Sequence, residues 1–194
     1  MDLGLSEEQE MLKVSARDFL QKECSKQLVR QLDDSNEGYS SELWLKMAKQ
    51  GWMGLIFSDK YGGSGGDFLD LTVLLEEMGY NILPGPFFST VILGGLTILT
   101  SGNEEQKMEF LPKVASGEMI LSLALTEPSA SYEAASIKTK AIARNDQYII
   151  NGNKLFVLNA NVADYILCVA RTRKTRNPED GITIFLIDAQ SPGV

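Results

Sequence analysis

The strongest constraint on this chain is a change of texture at Gly117. Before it, apolar residues recur at helical spacing. After it, short β-rich runs are separated by turn residues. A chain that runs helices first and strands second, without alternation, is expected to fold as α+β rather than as a doubly wound sheet. No G-x-G-x-x-G follows a strand-like run, so the dinucleotide fingerprint of such sheets is missing as well. The expected division is an all-helical domain over 1–117 and a β domain over 118–194.

The helical half carries its own punctuation. Ser6 and Gln9 form a capping box, with Glu7, Glu8 and Glu10 in the first turn. Leu12, Ala16, Phe19 and Leu20 carry the period onward to the region of Leu32. Asp33 to Tyr39 is a polar break. Ser41 can cap a helix bearing Trp44, Met47 and Ala48, stopped by Gly51. Asp67 to Gly79 places Phe68, Leu71, Leu74, Leu75 and Met78 on one side, and Glu76 and Glu77 are expected to face solvent or pair locally. Phe87 to Thr100 is apolar nearly all round, so a buried helix is expected. Asn103 and Gln106 make a second capping box for a helix over Glu104 to Val114. Gly54 to Gly66 is glycine-rich, but no lysine followed by Ser or Thr completes a Walker loop. A tight connection is the expectation.

In the second half, strands are expected at Met119–Leu125, Ile137–Arg144, Tyr148–Ile150, Lys154–Leu158, Tyr165–Arg171 and Ile182–Asp188. Asn145-Asp146 and Asn151-Gly152 supply turns. Pro128 cannot donate to a ladder, so the first strand stops at Thr126-Glu127-Pro128. An ordinary strand end and a ligand-facing edge both fit that break. The last strand leaves an edge that more polypeptide or a partner is expected to cover.

Composition removes several functions. The net charge is −8, with a pI near 4.7. That argues against binding nucleic acid, which wants a basic face, and against anionic membranes. No apolar run reaches the length of a span, and Asp2, Glu7, Glu8 and Glu10 stand where a signal peptide would be basic and then apolar. There is no histidine, which removes Ser-His-Asp and Cys-His catalysis and most zinc chemistry. Cys24 and Cys168 match no metal spacing and are expected to be buried thiols, so a cytoplasmic protein is expected.

Five collinear segments carry a family resemblance. They are Ser6–Leu20, Gly51–Tyr80, Gly102–Pro128, Ile137–Ala141 and Tyr148–Thr172. The chain resembles the N-terminal and middle portions of the acyl-CoA dehydrogenase family. The resemblance implies a helical domain followed by an antiparallel β-barrel-like middle domain. It also implies FAD against the middle domain, an acyl-CoA substrate stacked on the flavin, and electron-transfer flavoprotein or a similar acceptor as partner. By the same resemblance, Leu123, Ala124, Leu125 and Thr126 lie along the flavin, and Phe156, Val157 and Leu158 pack on it. Ser131 and Tyr132 lie near cofactor phosphate and substrate. The family's catalytic glutamate belongs to a C-terminal helical domain that these 194 residues do not include. No catalytic residue is therefore expected here. Glu127 reads as structural.

Three departures stand out. The family's Ala-Gly-Ser-Asp is here Ala130-Ser131-Tyr132-Glu133, so a backbone approach or a φ > 0 turn that needs glycine is expected to be lost. Phe156 replaces tryptophan. Leu158 replaces a hydroxyl residue and forfeits a hydrogen bond worth on the order of 1 kcal/mol. Pro84-Gly85-Pro86 resembles branches of the family acting on bulky or dicarboxylic acyl groups. Two functions follow from the resemblance. One is the front part of a flavin-dependent acyl-CoA dehydrogenase, inactive by itself. The other is a cofactor-poor structural subunit of a heteromeric dehydrogenase. A homo- or hetero-oligomer is implied for the full-length protein.

Overall fold

The structure is a computed structural model that describes residues 4–145 and 147–194. Its helices are α1 (Glu7–Glu23), α2 (Lys26–Asp33), α3 (Ser41–Lys49), α4 (Phe68–Tyr80), a π-helix (Phe88–Gly95), α5 (Leu96–Ser101) and α6 (Glu104–Ala115). Both capping boxes form: Ser6 with Gln9 on α1, and Asn103 with Gln106 on α6. A third, Asp67 with Asp70, starts α4. The helical period expected to run unbroken to Leu32 is interrupted at Cys24, because Ser25 caps a new helix by accepting the Leu28 N–H. Ser40 rather than Ser41 caps α3.

The expected helix over Phe87–Thr100 is wound in two ways. Its first part is π, with the Leu96 N–H reaching the Val91 carbonyl five residues back. The glycine-rich stretch is a tight connection. A Cβ on Gly63 would lie 2.1 Å from the Phe57 carbonyl oxygen, so only glycine fits.

α1 and α4 pack against each other across a charged seam. Glu77 does not face solvent: its side chain is fully buried, gripped by Arg17 at 2.8 and 2.7 Å from Nε and Nη2. Glu76 is the exposed one, 3.5 Å from Lys13 of α1. Trp44 on α3 buries its indole and donates Nε1–H to the Gly117 carbonyl at 2.9 Å, closing the helical half onto its last turn.

The strands are β1 (Leu121–Ala124), β2 (Lys140–Arg144), β3 (Gln147–Asn151), β4 (Tyr165–Arg171) and β5 (Ile182–Asp188). β4 is central. β1 pairs with it in parallel from Leu121↔Tyr165 to Ala124↔Cys168, and β5 runs antiparallel along its whole length. β2 meets β4 in parallel at Lys140↔Arg171 and forms an antiparallel hairpin with β3. The sheet is therefore mixed and open, which corrects the expected antiparallel barrel. The physical cause is the long excursion between β1 and β4, which permits the same strand direction where a hairpin would reverse it. In the β2–β3 turn Asn145 takes a left-handed φ of 52°, as such turns favour, and Asp146 lies outside the described residues.

Helices and sheet share one core. Thr90, fully buried in the π-helix, accepts the Leu121 N–H at 3.1 Å and donates to the Leu121 carbonyl at 3.3 Å. One hydroxyl thus satisfies the first residue of β1 on the side away from β4. Thr90→Val keeps the shape and strands two buried backbone groups. It is expected to lower unfolding stability by about 2 kcal/mol, measured by urea denaturation.

Candidate functional site

Among the described residues β1 has a strand partner on one side only, β4. Its continuation through Leu125 and Thr126 is met by the segment 154–158. The Leu155 N–H donates to the Thr126 carbonyl at 2.9 Å, and Lys154 Nζ donates to the Leu125 carbonyl at 3.1 Å. Further along, Ser122 Oγ donates to the Leu158 carbonyl at 2.5 Å. The two segments run side by side in opposite directions. The structure thus brings Leu123, Ala124, Leu125 and Thr126 together with Phe156, Val157 and Leu158.

Lys154–Leu158 is not a strand, contrary to the expectation. Phe156 has a left-handed φ of 53°, which breaks the extended path after a single backbone bond. The break turns the Phe156 ring outward, 86% exposed, with Leu158 at 53% and Leu155 at 39%. Val157 packs inward against the core. A bulky aromatic in a strained backbone, held out of the core, presents an apolar face to whatever covers it.

Ser131 and Tyr132 sit on a separate loop, reached through Glu127. That carboxylate is buried and closes the loop at its base. Oε2 accepts the Lys138 N–H at 2.7 Å, and Oε1 accepts the Thr139 N–H at 2.9 Å and Lys154 Nζ at 2.9 Å. Burial by itself pushes the Glu127 carboxyl up. The Thr139 hydroxyl and amide, Lys154 and the Lys138 amide outweigh it and bring it down to about 2. The Thr139 hydroxyl contributes from outside strict hydrogen-bond geometry, with no partner among the described residues.

Ser131 accepts the Glu133 N–H on its Oγ, and its carbonyl accepts the Ser136 hydroxyl. Tyr132 is 74% exposed. Ser131, which stands where the family pattern has glycine, does not take a left-handed backbone; Ala130 before it does, with φ 54°.

Lys154 was not among the expected site residues, yet it ties the two segments and the loop together. A single lysine in the run NGNKLF, with Glu127 the one acid between Met119 and Tyr132, is the signal that could have paired them. A cavity of about 480 Å³ opens elsewhere, between α1, α2 and the end of α4. Cys24, Lys26, Arg30 and Ile82 line it, and it reaches none of these residues. Cys24 and Cys168 are both buried free thiols. Among the described residues no helix is long and apolar enough to cross a membrane.

A sheet built on an edge strand, a buried carboxylate closing a loop, and an apolar segment laid beside that edge define an α+β protein with an open face. The sequence profile of the acyl-CoA dehydrogenase N-terminal domain matches residues 6–118, and that of the middle domain matches residues 122–194. The chain belongs to the acyl-CoA dehydrogenase family. It is 33% identical over 196 aligned residues to a probable acyl-CoA dehydrogenase, YngJ, of Bacillus subtilis (strain 168), covering 100% of this chain and 51% of that protein. The Tcur3481-Tcur3483 steroid ACAD aligns over 100% of this chain and 50% of that one, with 30% identity and a TM-score of 0.85. The ChsE4-ChsE5 complex of Mycobacterium tuberculosis gives 27% identity, 98% and 49% coverage and a TM-score of 0.82. The chain spans about half the length of the curated relatives it matches.

Two outcomes test the Glu127 anchor. Its carboxyl lies below the ordinary 4.5 in the folded protein, so its stabilisation is complete above about pH 4.5 and is lost as pH falls toward about 2. Urea unfolding across that window is expected to show the loss, and Glu127→Gln, weaker at neutral pH, is expected to show a flatter slope. Lys154→Met leaves the buried carboxylate without its cation and is expected to cost about 3 kcal/mol, with faster exchange of the Leu155 amide.

Proposed function

We propose that this chain is the N-terminal and middle part of a flavin-dependent acyl-CoA dehydrogenase, a protein that desaturates an acyl-CoA thioester between Cα and Cβ. In this reading 1–117 and 118–194 are its two domains. The observation that carries it is the pairing of the one-sided β1 edge with the outward-turned Phe156 and Leu158. A flat ring with polar rims fits such a place. Backbone groups of Leu123 to Thr126 and the Thr126 hydroxyl would meet the polar rim, and Phe156, Val157 and Leu158 would shield a face. FAD, when bound, supplies the hydride acceptor.

The chain's own residues bind and orient. Lys154 and Leu155 fix the strand end, and Glu127 fixes the base of the loop that brings Ser131 and Tyr132 toward phosphate and thioester. The carbonyl polarisation and the base that such a reaction needs are not supplied by these residues. We place the base in the half of the protein that the relatives have beyond this length. Electron-transfer flavoprotein or a similar acceptor completes the reading. Buried free thiols favour the cytoplasm. Pro84-Gly85-Pro86, ahead of the π-helix, together with the likeness to a steroid ACAD, favours a bulky acyl group.

A second reading is favoured by a specific observation. Tyr132 projects 74% exposed from the loop where the family carries a small serine, and Leu158 offers no hydroxyl. That chemistry suits a cofactor-poor subunit that supports a flavin-bearing partner, and a similar solved structure is described as a complex of two named chains.

Visible absorbance separates the two. The 194-residue chain is expected to retain little or no FAD, and stoichiometric flavin would overturn the view that half of the site lies elsewhere. The product of the uninterrupted reading frame is expected to be yellow and to bleach on adding a bulky acyl-CoA. A colourless product that copurifies with a flavin-bearing subunit would establish the second reading instead.

A further inference from the structure

Arg171 ends β4 with its guanidinium in a nest of main-chain carbonyls. Nε donates to Ile137 at 3.0 Å and Nη1 to Asp180 at 3.0 Å. Nη2 donates to Pro178 at 2.8 Å, to Ala134 at 3.2 Å and to Ala135 at 3.4 Å. The acceptors belong to two different loops. Ala134, Ala135 and Ile137 end the loop that carries Ser131 and Tyr132. Pro178 and Asp180 lie in the connection from β4 to β5.

Ala134–Ser136 is a single 3-10 turn closed by the Ile137 N–H on the Ala134 carbonyl, and the guanidinium shares that carbonyl and takes those of Ala135 and Ile137 as well. The second loop is closed by the Thr172 N–H and hydroxyl, both donating to the Gly181 carbonyl. Gly181 has φ 75°, and a Cβ there would lie 2.5 Å from the Arg173 carbonyl oxygen. Only a planar fork with five N–H donors can serve acceptors spread over two loops. A lysine is a point charge with three.

We propose that Arg171 is a positioning residue that couples the 172–181 loop to the 131–136 loop. That the 131–136 loop meets a ligand rests on the flavin–thioester reading above. The coupling itself rests on the guanidinium alone. With the fork engaged, the 134–137 backbone is held against the end of the sheet, and Ser131 and Tyr132 project from a fixed base. A shift of the 177–181 backbone withdraws two acceptors, re-aims the fork and frees the other loop.

Hydrogen exchange on the ligand-free 194-residue chain tests this with Arg171→Gln, Gly181→Ala and the double variant. Peptides covering 131–138 are expected to exchange roughly tenfold faster in Arg171→Gln and roughly threefold faster in Gly181→Ala, with α4 and β1 unchanged. In the double variant these peptides are expected to exchange no faster than in Arg171→Gln alone, because the route between the loops is already cut. Wild-type rates at 131–138 in Arg171→Gln, or multiplied effects in the double variant, would overturn the proposal. Should Arg171→Gln fail to fold, Arg171→Lys takes its place. It keeps the charge and loses the fork, so faster exchange at 131–138 supports the coupling and wild-type exchange sinks it. Absence of flavin from the product of the uninterrupted reading frame would count against the ligand reading only, and leave these rates as they are.

Discussion

The sheet half of this protein depends on one buried carboxylate. Glu127 stands where β1 gives out, and Pro128 forbids the strand to continue. Its oxygens take the amides of Lys138 and Thr139 and the ammonium of Lys154. Three separate stretches of chain therefore converge on one side chain: the end of β1, the entry to β2, and the segment that lies beside β1. A charge so enclosed is tolerable only with every one of these donors present, so the three stretches are fixed together or not at all.

What the sequence made legible was local. The capping boxes at Ser6 and Asn103 formed as read, since each is complete within four residues. β4 and β5 occupy the expected spans, because their β-rich runs are bounded by charged or turn residues. What was hidden was set by distant partners. Glu77 looks like a solvent-facing helical acid, and only the packing of α1 on α4 brings Arg17 to it. Lys154–Leu158 has strand composition, yet the bonds from Lys154 and Leu155 to the end of β1 impose a path that Phe156 completes with a left-handed backbone. Parallel pairing leaves no mark in alternation, so an antiparallel barrel and an open mixed sheet read alike. The π winding after Phe87 has no signal in hydrophobic period.

The candidate site was legible in a different way. Periodicity offered a strand end with two meanings, and the collinear motifs chose between them. Geometry then showed which of the expected residues are neighbours. Leu123 to Thr126 and Phe156 to Leu158 lie on adjacent segments, whereas Ser131 and Tyr132 stand on a loop with its own foundations. That separation explains why the residues that tie the parts together, Lys154 and Arg171, went unremarked. Arg171 acts on backbone carbonyls alone, and a carbonyl has no letter in the sequence; Lys154 divides itself between one carbonyl and Glu127, a partner 27 residues away.

The stapled base of the 127–139 loop has a consequence for how such a protein changes over time. Because Glu127 fastens the loop at its neck, residues 128–133 can be exchanged without disturbing the sheet below. Drift can accumulate at the tip while the scaffold holds. Ser131, Tyr132 and Glu133, which depart from the pattern of the family the chain resembles, all lie in that stretch. Change at the tip of this loop is expected to cost little in folding.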